Sequence, residues 1–307
     1  FQLAFAVITP ALVSGSIAER MKFPAFLAFI LLWTTFVYDP IAHWIWGNGG
    51  WIRELDALDF AGGSVIHISS GVSALVAAIY IGKRSNHDSI KPHNIPMTMI
   101  GAGLLLFGWY GFNAGSALAI NDIALNAFIA TNTSAAAAGL SWMFCEWLIH
   151  KKPTALGFVS GIVAGLVSIT PGAGFVSPFA SLMIGLIGGI VCFYGVTVLK
   201  KKFAYDDALD AFGCHGIGGI LGGVLTGLFC VPELSWTGKG GLFYTGDVSL
   251  LVSQVLGIVV TVVIVLVLDL VIAAVVKALF RGSLRVDEAD EALMEATRPD
   301  FAPIYAR

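Results

Sequence analysis

The chain has 307 residues, 57% of them hydrophobic and only 12% charged, with a mean hydropathy of +0.85 and a formal net charge of -3. Soluble domains carry about 25% charged residues, so a water-soluble globular fold is excluded, and the charge balance offers no basic patch for nucleic acid. The short alternating segments of an outer-membrane barrel are missing as well, which leaves an all-α polytopic membrane protein.

The chain opens on the apolar stretch Phe1-Gln2-Leu3-Ala4-Phe5, with neither an initiating Met nor the charged start of a signal peptide. It is therefore expected to be a fragment lacking N-terminal sequence. Hydropathy and turn residues predict spans at 1–18, 24–46, 59–82, 97–117, 123–149, 154–170, 176–199, 207–231 and 248–280. When alternate connectors are assigned to the cytoplasm, fifteen of the seventeen basic residues fall on that side, including Arg20, Lys91, Arg298 and Arg307, and only Arg53 and Lys239 fall opposite. The positive-inside rule then places the C-terminus in the cytoplasm and supports nine segments. Residues 1–281 form the expected membrane domain, and 282–307 a polar cytoplasmic tail with a short helix near 286–296 and little else.

Glycines cluster within spans, as at Gly157, Gly161, Gly165 and Gly216, Gly218, Gly219, where they let helix backbones approach closely. Cys145, Cys192, Cys214 and Cys230 lie singly, without metal or disulfide spacing, and read as small buried hydrophobes. Two aspartate–histidine pairs stand out. His67 follows Asp59 by eight residues, and His215 follows Asp207 by eight, each within an apolar stretch. Asp59 and Asp207 occupy helix N-cap positions at opposite membrane faces. Eight residues of helix place each imidazole about 12 Å inside, so the two approach the midplane from opposite sides. Matching segments inserted in opposite directions are the mark of inverted-repeat transporters, whose site lies at the repeat interface. Burial and a neighbouring ring both disfavour the charged imidazole, so the pair is expected to be neutral or to share one proton. Such a pair offers one N–H and one lone pair, which suits a small neutral polar solute or a proton relay rather than a bare cation. Asp59 is expected to be held by helix N–H groups, a role preferred over that of a proton acceptor.

Several ordered motifs extend this reading: Ile17-Ala18-Glu19-Arg20, Pro40-Ile41-Ala42-His43-Trp44-Ile45-Trp46-Gly47, Leu58-Asp59-Phe60-Ala61-Gly62-Gly63, Lys91-Pro92-His93-Asn94, Gly108-Trp109-Tyr110-Gly111-Phe112-Asn113-Ala114-Gly115-Ser116, Gly165-Leu166-Val167-Ser168-Ile169-Thr170-Pro171 and Phe212-Gly213-Cys214-His215-Gly216. With these the chain resembles the ammonium transporter family (Amt/Mep/Rh), bacterial type, over nearly all of its length. The resemblance implies an eleven-span fold with inverted repeats, of which about nine segments are present here. It implies an outer recruitment site of Phe5, Trp46 and Ser116, where aromatic faces and a hydroxyl oxygen meet an ammonium ion. It further implies an apolar gate of Phe5 and Phe112, and a pore lined by His67, His215 and Trp109. Asp59 and Asp207 keep structural or electrostatic roles. Trp33, Trp44, Trp51, Trp142, Trp147 and Trp236 are read as packing or belt residues, and His43, His87, His93 and His150 as structural.

The implied partners are ammonium or ammonia, the lipid bilayer, two further copies in a homotrimer, and a PII-type signalling protein at the cytoplasmic face of the inner membrane. No cofactor motif, paired carboxylate or nucleophile–base pair points to an enzyme. The sequence departs from the family pattern in two places. Asp39 stands where a less acidic residue is expected, and the tail reads Ala292-Leu293-Met294-Glu295-Ala296-Thr297 in place of the usual glycine-leucine-aspartate and histidine-glycine-glutamate elements. Two other readings stay open: an ammonium sensor signalling to a cytoplasmic partner, and a Rhesus-type ammonia channel.

Overall fold

A computed structural model describes residues 1–84, 92 and 94–296. His87, Lys91, His93, Arg298, Arg307 and the rest of the tail after 296 lie outside the described residues. The chain is a helical bundle built from α1 (Gln2–Ile17), α2 (Phe23–Trp33), α3 (Asp39–Trp46), the single turn α4 (Trp51–Glu54), α5 (Ser69–Ile81), α6 (Ile95–Ala114) and α7 (Asp122–His150). It continues through α8 (Ala155–Ile169), α9 (Pro178–Tyr194), α10 (Lys200–Phe203), α11 (Ile217–Phe229), α12 (Leu242–Thr245), α13 (Ser249–Leu279) and α14 (Glu288–Ala296).

The boundaries follow from local chemistry. The side chains of Asn94, Asn121, Thr154 and Ser177 each accept a backbone N–H from the first turn of α6, α7, α8 and α9, which satisfies donors that have no partner inside the helix. Pro178 opens α9, where a missing N–H costs nothing. Among the described residues seven helical segments are long and apolar enough to cross a membrane, and the shorter apolar helices α1 and α8 bring these to the nine expected segments. Close packing holds them together. A side chain at Gly165 of α8 would overlap the backbone of Ser134 on α7, and the Ser134 hydroxyl donates to the Gly165 carbonyl at 2.8 Å. Dense van der Waals contact of this kind replaces the hydrophobic effect as the glue within a bilayer.

The end of the bundle that carries Arg20 corrects two expectations. Arg20 lies in the turn after α1, as expected of a connector residue, but is fully buried rather than solvated. Its guanidinium donates to the carbonyls of Gly82, Ser16 and Asp206 and pairs with the Asp206 carboxylate at 3.4 Å. Arg84 meets the same carboxylate at 2.9 Å and Glu19 at 3.0 Å. The start of the tail is also more than a loose polar stretch. Lys22 N–H donates to the Leu284 carbonyl and Val286 N–H to the Arg20 carbonyl, each at 2.9 Å, while Arg285 reaches the Lys83 carbonyl at 2.7 Å and pairs with Glu291 at 2.7 Å. The tail thus docks against the ends of α1 and α5.

Burial pushes the Asp206 carboxyl up, but the hydrogen bonds from Arg84 and the charge of Arg20 outweigh it, so the group sits below the ordinary carboxylate value. A depressed native value stabilises the fold above the unfolded value near about 4, and that contribution fades as pH falls through the native value. Asp206→Asn, which takes from Arg20 its carboxylate partner and leaves Arg84 only Glu19, is expected to cost on the order of 3 kcal/mol. Thermal melting of the purified protein checks this. The variant melts several degrees lower at pH 7 and loses less stability than the parent on acidification.

Candidate functional site

Both histidines sit in π-helical turns that lead into an α-helix. Gly63–Ile68 carries His67 into α5, and Phe212–Gly216 carries His215 into α11. The helix therefore begins at Gly63 rather than directly after Asp59, and the segment from aspartate to histidine is a turn plus a π turn instead of eight residues of straight helix. Gly62 rather than Asp59 stands at the N-cap of this segment, and the Asp59 carboxylate reaches its free donors from three residues before. Its Oδ1 accepts from Gly62 N (2.8 Å) and Gly63 N (2.6 Å), and its Oδ2 from Ser64 N (2.7 Å) and Val65 N (3.2 Å). Asp207 holds the second turn more sparingly, accepting from Phe212 N at 2.9 Å. The two repeats are alike in plan and unequal in detail.

These segments cross in opposite directions. A side chain at Gly71 would overlap the backbone of Gly216, and one at Gly219 would press on the Gly63 carbonyl and His67. The crossing brings the imidazoles together, with Nδ1 of His215 at 3.1 Å from Nδ1 of His67 and ring centroids 5.1 Å apart. Both rings are buried, and Nε2 of His67 has no hydrogen-bond partner among the described residues. Trp109 stacks on His67 at 5.4 Å, and its indole N–H donates to Thr170 Oγ1 at 3.0 Å. A cavity of about 400 Å³ runs beside the pair, walled by Leu12, Ile66, Leu104, Leu105, Trp109 and Val163. Its polar atoms are few, so the imidazoles are the main hydrogen-bonding groups along it.

Toward the Trp46 end, Phe112 stacks on His67 at 5.8 Å and meets Phe5 edge to face at 4.5 Å. Phe5 in turn lies 5.8 Å from Trp46. Above these rings is a vestibule of about 270 Å³ whose wall includes Phe1, Phe5, Trp46, Arg53, Ser116 and Trp236. The Ser116 hydroxyl donates to the Phe112 carbonyl at 2.8 Å, which leaves its lone pairs available to accept from a guest. The indole N–H of Trp46 donates to the Asp59 carbonyl at 2.7 Å, so the aromatic wall is fixed to the turn that carries His67.

Phe5, Trp46, Ser116, Phe112, Trp109, His67 and His215 therefore share one continuous line, while Asp59 and Asp207 support the turns and belong to the walls of neither cavity nor vestibule. Sequence reasoning missed four residues. Thr170 stood inside a recognised motif, but only the fold shows that it anchors Trp109. Phe1 packs edge to face on Phe5 at 4.8 Å. Trp236, read as packing, comes to the vestibule wall from the connector between α11 and α13, and Arg53, read only as a loop charge, joins it there.

Apolar helices crossing in opposed repeats, with paired imidazoles buried beneath an aromatic vestibule, define a multi-span helical membrane protein. Residues 1–298 match the profile of the Ammonium Transporter Family, and the chain belongs to that family. It is 60% identical over 258 residues to an ammonium transporter of Bacillus subtilis (strain 168), a match covering 84% of this chain and 63% of that protein. It is 52% identical over 261 residues to ammonium transporter Amt1 of Archaeoglobus fulgidus, covering 84% of this chain and 65% of that one. The crystal structure of Candida albicans Mep2 superposes with a TM-score of 0.88 at 34% identity, covering 94% of this chain and 66% of that one. A sensor Amt protein superposes at 0.86 with 32% identity, covering 95% and 74%. The chain thus spans about 63% of the length of its Bacillus relative.

Proposed function

We propose that this chain is the greater part of an ammonium transporter that recruits ammonium at Phe5, Trp46 and Ser116, strips its proton at or below that site, and passes ammonia between Phe5 and Phe112 to the His67–His215 pair. The observation that carries the reading is the unbroken line from aromatic vestibule to paired imidazoles, whose Nδ1 atoms lie 3.1 Å apart beside an apolar cavity. Ring quadrupoles and a hydroxyl oxygen attract a partly desolvated cation. Apolar walls and neutral imidazoles then reject any ion that cannot lose its charge. Potassium resembles ammonium in size but has no proton to give up, so selectivity follows from chemistry rather than diameter. Asp59, with both oxygens engaged by backbone donors, acts as the cap of the His67 turn and not as the base.

The same proposal takes residues 1–281 as the membrane domain in the cell inner membrane, the vestibule as outward-facing, and 282–307 as a cytoplasmic tail. It also takes the assembly as a homotrimer, with a PII-type protein as the candidate partner of the tail. A sensor role is the second reading, favoured by the structural likeness to a sensor Amt protein. Solid-supported-membrane recording from the full-length protein separates the two. Ammonium pulses give a current and matched potassium pulses do not. Ammonia-driven pH change without current marks neutral conduction, and the absence of both sinks transport in favour of sensing. In the same assay Ser116→Ala is expected to raise the half-saturating ammonium concentration about fivefold, the worth of one hydrogen bond of about 1 kcal/mol, with little change in the maximal current. Unchanged half-saturation removes Ser116 from the site.

A further inference from the structure

The vestibule that presents aromatic faces and a hydroxyl oxygen also presents a positive charge. Arg53 sits on the one-turn helix α4, and its Nη1 donates to the carbonyl of Trp46 at 2.5 Å. Among the described residues it is the one charged side chain in the vestibule wall, where the remaining polar side chains, Gln2, Trp46, Ser116 and Trp236, are neutral. Its acidic neighbours, Glu54 on the same turn and Asp56, make no ion pair with it among the described residues. Asp56 is taken up by Lys239 at 2.7 Å. The backbone bond ties the guanidinium to Trp46, which is itself held at its indole by the Asp59 carbonyl at 2.7 Å. Arg53 is exposed at the mouth of the vestibule, and the bond to the Trp46 carbonyl is what ties its guanidinium to the wall.

We propose that Arg53 sets the affinity of the vestibule for its cation, its like charge opposing the attraction of the rings so that the guest is held loosely. The inference rests on the reading of this vestibule as the ammonium recruitment site. A conducting site must bind well enough to fill and weakly enough to empty, and a fixed positive charge beside a π-rich pocket tunes that balance without altering the pocket's shape. A unit charge several ångströms from the bound ion shifts affinity about two- to fivefold at low salt and much less once the screening length falls to a few ångströms.

The test measures half-saturating ammonium concentration and maximal current in the full-length protein, at about 10 mM and about 1 M ionic strength, set with an impermeant salt. Arg53→Gln keeps a hydrogen-bond donor and removes the charge. It is expected to lower half-saturation two- to fivefold at low ionic strength and to converge on the parent at high ionic strength. Arg53→Lys keeps the charge and gives no such decrease. Leu118→Asp supplies an independent route, because it sets a carboxylate on the same vestibule wall at a position whose left-handed backbone (φ 54°) suits Asp. It lowers half-saturation in the same salt-dependent way. Half-saturation that is unchanged in Arg53→Gln, or raised equally at both ionic strengths, overturns the proposal and leaves Arg53 a structural brace for Trp46. If the parent protein itself gives no ammonium-dependent current or pH change, it is the transport reading that fails.

Discussion

Replacing His67 or His215 with alanine is expected to cut ammonium-specific current by about 10- to 100-fold, or to admit potassium, so that the ammonium-to-potassium ratio collapses in either case. The two rings are the main hydrogen-bonding groups along an otherwise apolar passage, and their Nδ1 atoms share one bond of 3.1 Å. Removing one ring leaves the other buried polar group without its partner, and a crossing ammonia molecule loses a donor or an acceptor. Each such loss costs about 1–3 kcal/mol. Because both mutations break the same bond, the double mutant should be little worse than either single one. Recording parent, single and double mutants side by side with ammonium and potassium pulses tests all of this. Parent-like selectivity in both single mutants removes the pair from the transport pathway.

The second large effect is expected at a backbone contact where no side chain takes part. Gly71→Leu drives a side chain into the backbone of Gly216 and the carbonyl carbon of His215. A flexible side chain could move aside, but here the obstruction is main chain, so the segments must separate. Overpacking in a core costs about 1–3 kcal/mol when side chains can rearrange, and more is expected at a backbone contact. Gly71→Leu should fail to yield a monodisperse protein. Gly71→Ala should fold with a lower melting temperature and a reduced ammonium current, because even a small separation stretches the bond between the imidazoles. Gly103→Leu, on the open face of α6 where an added Cβ meets nothing within 4 Å, is the control for adding a leucine to a membrane helix. Normal melting and current in Gly71→Leu would show that the crossing is not what holds the pair.

The spans were legible because a helix that crosses a bilayer must be apolar along its length, and the periodic lysine-bearing connectors divide it from the next. The equal spacing of Asp59–His67 and Asp207–His215 likewise carried the central pair. Sequence overstated the regularity of those segments. Neither a turn from Asp59 to Gly62 nor a π turn has a composition distinct from an α-helical start, so a straight helix was the natural expectation. Arg20 shows the opposite problem. A basic residue beside a span counts equally toward a cytoplasmic loop whether it is solvated or buried, and only the tertiary position of Asp206 and Arg84 reveals which. The vestibule positions of Arg53 and Trp236 were hidden for a similar reason, since connectors carry no hydropathic period from which their folded position can be read.

The imidazole pair also keeps a record of its own protons. Two neutral rings that face each other through Nδ1 hold two protons among four nitrogens, and one of these protons occupies the shared bond. If that proton belongs to His67, the Nε2 of His67 is bare and that of His215 is protonated; if it belongs to His215, the assignment is reversed. The outward nitrogens are therefore always opposite in kind, and the pair works as a one-bit register. Passing a proton down the chain flips the bit, and a second proton from the same side finds a donor where it needs an acceptor. Any proton route through the pair must then include a reset, by rotation of both rings or by exchange of protons at the outer nitrogens. That reset would set a ceiling on proton turnover, whereas ammonia on the proposed path would leave the bit as it found it and need none.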